Sequence, residues 1–202
     1  MEKILFIGGS SPNGLGQDIF EQLKCDFYVE KIGRKELYSD EYIKIVNTLQ
    51  PKHIIISTYF RCKKELEIVS SLDIIKSIES KTQPLLRVSQ NLNSDVSSVL
   101  VFSGILSDII ELGSLPTSLA AACVEKMVEY LSVHYQGRVR FNCIKPWRMA
   151  TRKEVISKRD FISTEDVFIA AKMILQNNAM NGASITVDRG YSINCKQGIK
   201  NE

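Results

Sequence analysis

Short apolar runs recur along the chain at Lys3 to Ile7, Phe27 to Ile32, His53 to Ser57, Val99 to Phe102, Val139 to Ile144 and Ser184 to Val187. Each has the length of a strand and is continuous rather than alternating, which calls for burial on both faces, as in a parallel sheet. Between them lie segments with helical spacing, such as Ile19, Phe20 and Leu23, then Leu119, Cys123, Met127 and Leu131, then Val167, Ala171, Ile174 and Leu175. Strand alternating with helix predicts an α/β fold built on a single doubly wound parallel sheet with helices on both faces. No repeat, low-complexity tract or Pro/Gly-rich linker divides the 202 residues, so we expect one domain over 1–194 and a polar tail over 195–202.

Composition excludes several classes of function. The 26 Lys+Arg against 23 Asp+Glu leave a net charge of +3, spread too evenly to mark a nucleic-acid or membrane surface. No apolar run reaches the roughly 18 residues of a membrane span, and the N-terminus lacks the pattern of a signal peptide, so a cytoplasmic protein is expected. The five cysteines are far apart and form no Cys-x-x-Cys pair, which suggests reduced core residues rather than disulfides or zinc ligands. His53 and His134 have no partner at metal-ligand spacing, and no metal site is expected.

The first strand runs into Gly8-Gly9-Ser10-Ser11-Pro12-Asn13-Gly14-Leu15-Gly16 and then into a helix beginning near Gln17. A glycine loop between an opening strand and a helix lets the backbone approach a pyrophosphate, whose charge is met by free N–H groups and the positive end of the helix. The alternative is a turn that merely reverses the chain. A Rossmann-like dinucleotide site is the expectation, with Gly9, Ser10, Ser11, Gly14, Leu15 and Gly16 as its phosphate-binding residues.

Gly9, Gly14 and Gly16 resemble the Gly-x-x-x-Gly-x-Gly pattern of the short-chain dehydrogenase/reductase family, with one extra residue between the first two glycines. Val139-Arg140-Phe141-Asn142-Cys143-Ile144-Lys145-Pro146 resembles the family's Arg-Val-Asn-x-Ile-x-Pro strand. Thr164 to Val167 and Asn181 to Gly190 resemble its terminal helix and strand. The likeness spans nearly the whole chain in the right order. It implies hydride exchange between a nicotinamide cofactor and a small-molecule substrate, in a homodimer or homotetramer. Apolar residues on more than one face of the Leu119 to Leu131 helix, including Ala120, Val124 and Val128, also suggest a surface buried against another copy.

Arg34 follows the second strand, where an acidic residue would hold a ribose 2′-hydroxyl and a cation suits a 2′-phosphate. NADP(H) is therefore expected, against the alternative of a solvated loop charge. So few residues separate Arg34 from the strand at His53 that the usual third strand and its helix must be trimmed, leaving Leu37 to Asp40 as a vestige and Tyr42 to Gln50 as a short helix. Pro146 and Trp147 stand where the family has its Pro-Gly turn beside the nicotinamide, and Thr151 matches the threonine that would contact the carboxamide. The Trp147 indole would stack on a ring, fill that space, or pack under the substrate loop.

The family's proton relay is missing. In the register set by Ala122-Cys123-Val124-Glu125, Thr117 occupies the tyrosine position and Ala121 the lysine position, and neither can relay a proton near neutral pH. Gly104 falls at the serine position, with Ser103 beside it. The segment from Ser103 to Glu125 is similar to an atypical group of roughly 200-residue members of the family. Substitutes to weigh are Tyr59, which forms Tyr-x-x-x-Lys with Lys63; Lys76, near the position of the family's helix asparagine; and Ser103 and Thr117 themselves. Two functions stay open: an atypical oxidoreductase acting on a small carbonyl, imine or activated alkene, and a catalytically inactive dinucleotide-binding or partner-binding pseudoenzyme.

Overall fold

A computed structural model describes residues 1–9, 11, 14–149 and 161–197. Among these residues six strands form one parallel sheet: β1 (Lys3–Gly8), β2 (Tyr28–Ile32), β3 (His53–Ser57), β4 (Ser98–Phe102), β5 (Arg140–Pro146) and β6 (Ser184–Val187). Their order across the sheet is β2-β1-β3-β4-β5-β6, all neighbours parallel. Seven α-helices among the described residues connect or follow them: α1 (Leu15–Leu23), α2 (Arg34–Leu37), α3 (Glu41–Leu49), α4 (Ser71–Ser89), α5 (Leu115–His134), α6 (Thr164–Gln176) and α7 (Tyr191–Lys196).

The continuous apolar strands supply two cores, because successive side chains point to opposite faces. Leu5, Ile7, Ile54, Ile56, Val99, Val101, Phe141 and Cys143 meet α3, α4 and α5 on one face. Ile4, Phe6, Ile55, Leu100, Phe102 and Ile144 meet α1 and α6 on the other. Each large apolar side chain so buried contributes about 1.5–3 kcal/mol. Two helices are started by reciprocal caps, Ser70 with Asp73 for α4 and Ser163 with Asp166 for α6.

Between Arg34 and His53 there is no strand, as the short spacing predicts. The vestige is a helical turn, α2, three residues earlier than Leu37 to Asp40, because the Glu36 carboxylate accepts the Gly33 N–H at 3.0 Å and starts a helix there. This leaves β2 at the sheet edge. Helix α1 begins at Leu15 rather than near Gln17, and β5 runs on to Pro146, which pairs with Val187. Helix α7 carries regular structure to Lys196, two residues into the segment expected to be tail; Gly198 to Glu202 lie outside the described residues. The residues offered for a second surface on α5 need correction: Ala120, Val124 and Val128 are buried within the chain, where they face the sheet, and the apolar residues this helix exposes include Leu115, Tyr130 and Val133. Among the described residues no helix is long and apolar enough to cross a membrane, and no group of His, Cys, Asp and Glu is arranged to hold a metal ion.

Candidate functional site

The chain passes from β2 across β1 to β3, so the connections diverge between the carboxyl ends of β1 and β3. Such a switch point opens a crevice at the strand ends. The glycine loop lies there. Gly8 and Gly9 adopt φ of +100° and +67°, and Gly9 N–H donates to the Ser57 carbonyl at 3.2 Å, tying the loop to the end of β3. A Cβ on Gly16 would stand 2.7 Å from Gly9 Cα, so the first turn of α1 sits directly on the loop because neither residue has a side chain. Gly14 caps α1 without a side-chain bond, and the Leu15 and Gly16 N–H groups have no acceptor among the described residues. Bare amides at a helix N-terminus fit the phosphates of a dinucleotide. Ser11 is exposed beside them, while Ser10, Pro12, Asn13 and Thr151 lie outside the described residues.

Arg34 is exposed at the start of α2 and has no ion-pair partner among the described residues. Trp147 is buried against Ile105 and Ile109, stacked on Tyr191 at 4.4 Å between centroids, with Arg148 Cζ 5.0 Å from the ring centroid. The substrate loop under which it was expected to pack lies almost wholly outside the described residues, and the indole's neighbours among those described are Ile105, Ile109 and Tyr191. Its Nε1–H is buried and without an acceptor among the described residues.

Of the proposed substitutes for the relay, Thr117 and the Lys63 partner of Tyr59 are bonded elsewhere, while Tyr59 sets its ring 5.7 Å from Lys81 Nζ. Thr117 donates its hydroxyl to the Cys62 carbonyl at 3.1 Å. Lys63, four residues after Tyr59, pairs with Glu111 at 2.9 Å. Tyr59 is exposed in the loop after β3, and partial desolvation raises its phenol above the ordinary value. Lys76 is exposed on α4.

Ser103 is the exception. Its N–H donates to the Ile144 carbonyl at 2.9 Å, and its hydroxyl stands 2.6 Å from Glu125 Oε1 and 3.3 Å from the Ala121 carbonyl. It therefore reaches toward the turn of α5 that bears the vacant lysine position. Val99 and Val101 on β4, like Phe141 and Cys143 on β5, belong to the α5-facing core, and the same period of two puts Ser103 and Lys145 on that side at the carboxyl end. Lys145 Nζ lies 2.5 Å from Asp108 Oδ2 and 3.5 Å from Glu125 Oε2. From below, buried Lys81 on α4 donates to the Phe102 and Ser103 carbonyls at 2.9 and 3.1 Å. The serine thus bonds one carboxylate, Glu125, and one ammonium group, Lys81, while Lys145 and Asp108 are linked to it through Glu125.

Burial pulls Lys81 down to about 8, opposed by Cys143 and Glu125. Burial also lowers Lys145, but its bond to Asp108 and the charge of Glu125 outweigh that and leave it above the ordinary value. The Cys143 thiol is pushed up to about 12 by burial, which removes it as a thiolate nucleophile. The sequence reading missed Lys81, Asp108, Glu125 and Lys145. For Lys81 a signal exists: it falls on the buried spacing Ser77, Lys81, Pro84, Leu85, Val88, where a charge is out of place.

No protein-family model matches the chain, and no curated protein does. Solved structures do match. A small-chain dehydrogenase in complex with NADPH is 18% identical, with 95% of this chain and 99% of that one covered at a TM-score of 0.78. A short-chain type dehydrogenase/reductase from Mycobacterium ulcerans is 14% identical, with 95% and 90% covered and a TM-score of 0.78. A protein described as a dehydrogenase from Burkholderia cenocepacia, with bound NADP, is 13% identical, with 94% and 93% covered and a TM-score of 0.76. The chain has the fold of the short-chain dehydrogenase/reductases.

Proposed function

We propose that the chain binds NADP(H) and acts as an atypical oxidoreductase on a small carbonyl, imine or activated alkene, or on the corresponding reduced compound. The observation that carries this reading is the contact of Gly9 with Gly16 at the switch point, which brings the uncapped start of α1 onto the glycine loop. Gly9, Ser10, Ser11, Gly14, Leu15 and Gly16 would hold the pyrophosphate, Arg34 the 2′-phosphate, and Pro146 and Thr151 the nicotinamide end. The cofactor supplies or accepts the hydride. Bound NADPH and NADP in two proteins of the same fold support the choice of ligand. Association into a homodimer or homotetramer goes with this reading.

A catalytically inactive dinucleotide-binding or partner-binding protein is the second reading. It is favoured by Thr117, which stands at the position of the family's tyrosine and spends its hydroxyl on the Cys62 carbonyl. Fluorescence titration with NADPH and NADH, on the wild type and Arg34→Glu, followed by turnover on a panel of carbonyls and imines, separates the two. NADPH binding with turnover supports the oxidoreductase, and binding without turnover supports the second reading. No binding defeats both cofactor readings. Charge reversal at Arg34 should weaken NADPH by at least about tenfold more than NADH, through loss of a charge-assisted bond to the 2′-phosphate. Equal weakening would contradict that assignment.

A further inference from the structure

We propose that Glu125 is the proton acceptor of this site, taking the proton of a substrate hydroxyl through Ser103, with Lys145 and Asp108 as positioning residues. The inference rests on the cofactor reading above. Ser103 is half-buried at the carboxyl end of β4, with one hydroxyl proton, and Glu125 Oε1 at 2.6 Å is the nearer of its two acceptors. The lone pairs of Ser103 Oγ are left to accept from a substrate. In alcohol oxidation the substrate O–H bond breaks as a new Oγ–H bond forms, and the original Ser103 proton passes to Glu125 Oε1. The substrate C–H electron pair leaves as hydride to the oxidised nicotinamide dinucleotide. Reduction runs the same transfers backwards. A serine hydroxyl alone cannot end such a transfer near neutral pH, whereas a carboxylate can.

The surroundings are built to keep Glu125 in place. Its Oε2 faces Lys145, which Asp108 holds from the other side, so Oε1 is the oxygen turned to Ser103. Lys81 fixes the Ser103 carbonyl and Ile144 fixes its N–H, which leaves the side chain as the free part of that residue. Among the described residues, the charged and titratable groups facing Glu125 are Lys145 and the Cys143 thiol from β5 and Lys81 from α4, with Asp108 behind Lys145. A relay lost from one face of α5 is thereby replaced one turn further along the same helix.

The test uses the full chain with glutamate labelled at the carboxyl carbon, the resonance lost in Glu125→Gln identifying Glu125. NADP⁺ carries a positive nicotinamide ring and NADPH a neutral one, so a carboxylate beside the reacting ring must respond differently to the two. Glu125→Gln should also lower alcohol oxidation on a panel of small secondary alcohols by about 10²- to 10⁴-fold and remove the acid limb of the kcat/KM profile, with Glu125→Asp restoring part of both. Identical Glu125 resonances in the two complexes would overturn the proposal and leave the cofactor reading standing. So would a wild-type rate and pH profile in Glu125→Gln, or binding of both nucleotides without any turnover by the wild type. Failure of either nucleotide to bind overturns the cofactor reading, and this proposal with it.

Discussion

Lys145 Nζ lies between Asp108 Oδ2, at 2.5 Å, and Glu125 Oε2, at 3.5 Å, and its side chain is only 8% exposed. Replacing it with methionine keeps the length of the chain and leaves two carboxylates facing each other. Breaking a buried pair by removing one partner costs about 3–5 kcal/mol. Urea unfolding of Lys145→Met should show a loss of that order near neutral pH, and a loss under about 1 kcal/mol would mean the pair is solvated. Because the folded pKa is raised, the stabilisation is complete below the unfolded value of 10.5 and disappears as pH climbs through the folded one.

Lys81 has the opposite sign. Its folded pKa of about 8 lies below the unfolded value of 10.5, so between the two the unfolded chain holds more protons and stability rises with pH. The penalty is complete below 8 and gone above 10.5. A shift of this size is worth about 3 kcal/mol. Lys81→Met should therefore gain most, relative to the wild type, near neutral pH, and the difference between the two proteins should shrink toward about pH 10. Parallel stability curves over that range would show that Lys81 does not titrate in the fold.

Why the sheet could be read in the sequence and the charge cluster could not follows from the range of the forces involved. The runs His53 to Ser57 and Val99 to Phe102 are buried on both faces, so their composition alone marks them as central strands. The trimmed third strand followed from counting residues between Arg34 and His53. Ser103 was visible as the neighbour of the expected serine. Glu125 and Lys145, taken singly, each read as an ordinary charge at a helix face or a strand end. They meet because the parallel register sets Phe102 against Ile144, which puts Ser103 next to Lys145. The turn at Ile105–Ser107 then brings Asp108 back over the strand ends. The packing of Trp147 against Ile105, Ile109 and Tyr191 was not legible either, because these partners come from distant parts of the chain.

Gly16 tests the dinucleotide cradle. A Cβ there would lie 2.6 Å from Ser57 Oγ and 2.7 Å from Gly9 Cα, and the second of these is backbone that cannot step aside. Gly16→Ala must push α1 away from the loop, at a cost of about 1–3 kcal/mol for overpacking. Thermal unfolding should register that loss, and NADPH titration should show binding reduced by more than the stability change explains, since the amides of Leu15 and Gly16 move with the helix. Wild-type NADPH affinity in a folded Gly16→Ala protein would place the phosphates elsewhere.

Trp147 is the sole tryptophan of the chain, so its fluorescence reports one environment. Stacked on Tyr191 and closed in by Ile105 and Ile109, it should emit at short wavelength and resist acrylamide. Trp147→Ala removes a large buried ring and should cost about 3–5 kcal/mol. Trp147→Phe separates packing from hydrogen bonding. The indole N–H has no acceptor among the described residues, so deleting it removes a desolvated donor and offsets part of the lost contact area. The phenylalanine variant, which leaves a smaller cavity than alanine, should then lose clearly less stability than Trp147→Ala. A loss in Trp147→Phe as large as that in Trp147→Ala would show that the N–H is bonded in the folded protein, and a readily quenched, long-wavelength emission would show that the ring is not packed beneath the Ile105–Ser107 turn at all.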